Sequence, residues 1–110
     1  MAYDEELAER IRAVVAGEAA LAERRMFGGL AFLIAGHMAV AASGQGGLMV
    51  RVDPDETEAL VDGLGVEPME MRGREMRGWL RVSDDAVRDD AALTEWVGRG
   101  IAYTRSLPAK

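Results

Sequence analysis

Between residues 26 and 52, apolar side chains recur at every second position in three short runs. These are Leu30, Phe32 and Ile34; Met38, Val40 and Ala42; and Leu48, Val50 and Val52. A period of two places alternate side chains on one face of an extended chain, so each run reads as a strand with one face buried. Ala35-Gly36 separates the first two runs, and Ser43-Gly44-Gln45-Gly46-Gly47 separates the second and third. Connections this short join antiparallel neighbours, so the stretch predicts a three-stranded meander. Gly28-Gly29 at its start predicts a bulge or a close backbone approach. Ala35 is a poor residue for a turn that demands positive φ.

Helical signals flank the meander. Asp4 is placed to cap a first helix, with Glu5 and Glu6 in its first turn and Leu7, Ile11, Val14 and Val15 on one face. Gly17 stops it, and Glu23-Arg24-Arg25 reads as a charged connection into the first strand. After the meander, Asp53-Pro54 reads as an N-cap followed by proline in the first turn, with Leu60, Val61 and Leu64 as the apolar face of a middle helix. A second hairpin is predicted over residues 68–82, turning at Gly73. Met76, Leu80 and Val82 share one of its faces, and Arg77, Trp79 and Arg81 share the other. Ser83 then caps a final helical region. Leu93, Trp96, Val97, Gly100, Ile101 and Thr104 follow at i, i+3, i+4 spacing, and Glu95 and Arg99 stand one turn apart. The expected fold class is therefore α+β: about five antiparallel strands in two hairpin groups, flanked by an N-terminal, a middle and a C-terminal helix.

Composition narrows the function. A chain of 110 residues is one domain, read here as spanning residues 1–110. Its net charge of −6 argues against a freely basic nucleic-acid binder. With no cysteine there is no disulfide, no thiolate zinc site and no thiol nucleophile. The acidic start lacks the features of a signal peptide, and no apolar run is long enough to cross a bilayer, so the expected location is cytoplasmic, without membrane partners.

No catalytic constellation emerges. His37 is the sole histidine, and no Ser or Thr lies in a nucleophile-elbow pattern. His37 reads as a strand-start residue. One His and no Cys leave only carboxylates for a metal, and these sit where helix capping explains them, so no metal, cofactor or small-molecule substrate is expected. The glycine clusters lack phosphate-loop spacing. Seven methionines suit an adaptable surface, yet Met38, Met69, Met71 and Met76 alternate along strands and read as core. The basic residues Arg72, Arg74, Arg77 and Arg81, with Trp79 among them, form a candidate nucleic-acid surface on the second hairpin, set against a solvated face with local ion pairs.

Several segments together resemble the N-terminal domain of the TfoX/Sxy family of bacterial competence regulators. They are residues 25–32 (Arg-Met-Phe-Gly-Gly-Leu-Ala-Phe), Gly36-His37-Met38, residues 48–52 (Leu-Met-Val-Arg-Val), Met76-Arg77-Gly78-Trp79, and Trp96-Val97 leading to Ser106-Leu107-Pro108. The resemblance spans nearly the whole chain. It implies an antiparallel sheet flanked by helices and a role in transcriptional regulation of competence. It implies no catalytic residue, and makes Phe27 and Trp79 anchors of the fold. Glu75 stands where the family often has Pro, and the chain is expected to be a stand-alone form without the second domain of longer TfoX-type regulators. The function expected is a non-enzymatic regulatory module acting through protein contacts, possible partners including a second copy in a homodimer. Nucleic-acid binding by the hairpin over residues 72–81 is the alternative.

Overall fold

A computed structural model describes residues 3–26, 28–71 and 73–108 of the chain, apart from the side chain of Met71. Helix α1 spans Glu5–Val15, and the Asp4 carboxylate caps it by accepting from the amides of Glu6 (2.9 Å) and Leu7 (3.2 Å). Four strands follow: β1 (Leu21–Met26), β2 (Gly29–Ile34), β3 (His37–Ala42) and β4 (Leu48–Arg51). A short 3-10 turn, Pro54–Glu56, leads into a single helical turn, α2 (Thr57–Leu60). Strands β5 (Val66–Met71) and β6 (Arg74–Val82) come next, then a 3-10 turn at Asp85–Val87 and helix α3 (Asp90–Arg105). The six strands form one antiparallel sheet in the order β1-β2-β3-β4-β6-β5. The predicted α+β class holds, and the two hairpin groups are joined by pairing of β4 with β6.

The strand count rises from five to six because residues 21–26 form an edge strand. Its four middle residues are exposed, so no buried face imposes the alternation that marks its neighbours. Ala35 and Gly36 both take positive φ (51° and 88°), which is the primed hairpin turn that matches strand twist. Gly29 is a close approach: a Cβ there would lie 2.3 Å from the Ala42 carbonyl oxygen, so β2 and β3 tolerate no side chain at this point. Phe27, which precedes that pair, lies outside the described residues.

Two helical expectations need correction. The middle helix is one turn long, because the chain is extended again at Val61 and turns through Gly63 at φ 71°. Its supposed apolar face breaks up: Leu64 is 92% exposed. Ser83 caps the 3-10 turn through its Oγ to Ala86, while the long helix is capped separately by Asp89.

The main core lies on one face of the sheet. Leu30, Phe32, Val40, Leu48, Val50 and Leu80 point into it from the strands, and Leu7, Ile11, Leu93 and Val97 meet them from α1 and α3. Gly100 lets α3 approach β3, since a Cβ there would stand 2.5 Å from the Ala39 carbonyl oxygen. Guanidinium groups fasten the layers. Arg10 of α1 donates to the Val87 and Arg88 carbonyls and to Asp90, and Arg12 holds Glu23 of β1 through two bonds of 2.7 and 2.8 Å. That pairing holds the Glu23 carboxyl below its ordinary range and raises the Arg12 pKa.

Candidate functional site

Among the described residues, no helix covers the other face of the sheet. Directly opposed residues in antiparallel strands share a face. Ala31 lies opposite Arg24 on β1 and Ala41 on β3; Ala41 lies opposite Met49, and Met49 opposite Arg81. Ala31, Leu33 and Ala41 are buried on this face beneath the half-buried side chains of Met26, Met38 and Met49.

This face is concave. Met26 of β1, Met38 of β3, Met49 of β4 and Met69 of β5 line one cavity of about 250 Å³. In a flat sheet the two edge strands would be about 24 Å apart, five spacings of about 4.8 Å. A cavity of that size reaches methionines on both edges only because the sheet curls around it. The shift of β3 against β2 at Phe32/Leu33, and of β5 against β6 at Pro68/Glu70, supply local twist for the curl. Ser43, Gln45 and Glu70 are the polar residues of the lining.

The predicted arginine surface is divided. Arg72 lies outside the described residues. Arg74 is exposed at the start of β6. Arg77 donates to the Pro54 carbonyl (3.1 Å) and the Asp55 carboxylate (3.2 Å). Arg81 donates to the side chain and carbonyl of Gln45, at 3.0 and 2.9 Å, fixing the β3–β4 loop. Trp79 is half-buried, with the Arg51 guanidinium 5.4 Å from its ring centroid and that same group 5.6 Å from Tyr103 of α3. Gly78 causes this divergence. At φ 89° it kinks β6, donating its amide to Thr57 Oγ1 and accepting from the Val52 amide, both at 2.8 Å. The single-face alternation expected for residues 77–81 is interrupted there.

His37 opens β3 as expected. Its Nε2 lies 2.6 Å from the Pro108 carbonyl oxygen. A carbonyl only accepts, so Nε2 carries the proton and donates. Nδ1 is buried without a partner among the described residues. His37 thus fastens the segment after α3 to the sheet. Among the described residues, no three His, Cys, Asp or Glu side chains converge as metal ligands, and no helix is long and apolar enough to cross a membrane.

Sequence reasoning missed the methionine cavity. It assigned Met38 and Met69 to the core and did not connect them with Met26 and Met49. The available signal was the alternation itself: Met49 occupies the position between Leu48 and Val50, hence the face opposite the aliphatic core.

The molecule is an α+β domain built on one curled antiparallel sheet, with its helices on the convex side and an open, thioether-lined concave side. Within that class, the chain belongs to the TfoX N-terminal domain family, whose model matches residues 13–103. No match is found among curated proteins or among solved structures.

Proposed function

We propose that this domain is a non-enzymatic interaction module acting in transcriptional regulation, and that it works through protein contacts that begin with a second copy of itself. The observation that supports this reading is the asymmetry of the two sheet edges. The β5 edge carries Pro68 and a register shift, both of which obstruct strand addition. The β1 edge has neither: six residues pair with β2 on one side only, and the four in the middle are exposed.

A two-fold axis normal to the sheet through Arg24 would extend it across two copies. Glu23 of each copy would then stand opposite Arg25 of the other. Such cross-strand charge pairs are worth about 0.2–1 kcal/mol each. Arg24 would meet its own counterpart on the axis. The test is sedimentation equilibrium of the wild type beside Glu23→Arg, Arg25→Glu and the double reversal. Each single change weakens association and the double change restores it. A wild type that stays monomeric at every concentration overturns the reading. Arg24→Ala is expected to tighten the pair.

Contact with nucleic acid through the second hairpin is a separate reading, supported by the exposure of Arg74. Anisotropy of labelled duplex DNA at low and physiological salt tests it. The reading requires a salt-sensitive rise that is lost in Arg74→Ala.

A further inference from the structure

We propose that the concave face of the sheet is a binding site for a soft monovalent cation, Cu(I), held by the thioethers of Met26, Met38, Met49 and Met69. The four residues come from four strands and line one cavity. Methionine is unbranched with three rotatable bonds, so side chains that line one cavity can turn their sulfurs toward a common ion.

Two observations set these methionines apart from ordinary packing. Among the described residues, the buried core under α1 and α3 is made of Leu, Ile, Val, Phe and Ala, with no methionine in it. Methionine as a gap-filler closes space, whereas here four of them surround a cavity. The donor set then selects the ion. Thioethers are soft, neutral ligands that favour Cu(I), while Mg and Ca require oxygen ligands and zinc favours thiolate or imidazole. The chain has no cysteine, so the thioether is its only sulfur ligand. Glu70 in the lining places a negative charge beside the cation. The site does not rest on the self-association proposed above, because one copy of the chain supplies all four methionines.

The test uses the full chain with its methionine methyl groups labelled with 13C. Ag(I) serves as the redox-inert probe, and Cu(I) is titrated anaerobically against a chromophoric competitor. The methyl resonances of Met26, Met38, Met49 and Met69 are expected to shift together and saturate at one ion per chain, with Met76 unmoved and Zn(II) without effect. In the pair Met38→Leu/Met49→Leu, which retains apolar bulk, affinity falls by about tenfold or more. Equal movement of all the methionine methyls, no saturable movement, or unchanged affinity in a folded leucine pair would overturn the proposal. The wild-type methyl pattern decides the question even if the leucine pair folds poorly.

Discussion

The two faces of this sheet solve the same problem with different residues. On the convex side, branched aliphatic side chains and Phe32 lock against α1 and α3. On the concave side, small residues (Ala31, Ala41) form the floor, and methionines stand over them with open space between. Branched side chains have few rotamers and specify one packing; methionine has many and adapts. The convex side therefore sets the fold, and the concave side is left able to change shape around something else.

Substitutions can break or sharpen that contrast. The largest effect is expected at Phe32, which is fully buried on the convex side: Phe32→Ala should cost about 3–5 kcal/mol in urea unfolding. Gly100→Ala tests the docking of α3, and crowding against the Ala39 carbonyl should cost about 1–3 kcal/mol. Met49→Leu on the concave side should cost less than about 1.5 kcal/mol, because volume is conserved and the neighbours can adjust. If Met49→Leu proved as damaging as Phe32→Ala, the distinction between a rigid and an adaptable face would fail.

The smallest effect is local. The Asp62 carboxylate accepts from the amides of Leu64 (2.8 Å), Gly65 (3.1 Å) and Val66 (3.0 Å). Those bonds, the one from Leu64 foremost, hold its pKa below the ordinary value. A carboxyl whose folded pKa is lowered contributes stability above its unfolded pKa and loses it as pH falls through the folded value. Amide exchange at residues 64–66 should therefore accelerate relative to the rest of β5 as pH drops below about 4. In Asp62→Ala the protection should already be absent at neutral pH. Equal protection in both proteins would show that the loop is held by something other than this carboxylate.

The convex side was the more legible in sequence. Leu30, Phe32, Val40, Leu48 and Val50 declare their strands by alternation, and Asp4 and the spacing of Leu93, Val97 and Gly100 declare the two long helices. Strand β1 was not legible. Glu23, Arg24 and Arg25 are held in the sheet by main-chain pairing with β2, which leaves no trace in hydropathy. The middle helix misled for a related reason: Leu60, Val61 and Leu64 have helical spacing, but Gly63 and the Asp62 turn override it. The concave site combines both difficulties. Its methionines are far apart in sequence, and the curl that gathers them depends on pairing β4 with β6, a contact that no local pattern encodes. Within the arginine hairpin, Gly78 redirects the strand between Arg77 and Trp79, which alternation along β6 does not reveal.

The position of Arg51 has an optical consequence. Its guanidinium lies against both Trp79 of the sheet and Tyr103 of α3, which brings the two rings close to each other. Light absorbed by Tyr103 should pass to Trp79 only while α3 is seated. In Trp96→Phe, which removes the indole that shares α3 with Tyr103, the ratio of indole emission excited through tyrosine to that excited directly would then follow the helix as it lifts from the sheet, with no label attached. Arg51→Gln would leave both chromophores in place while removing the cation between them.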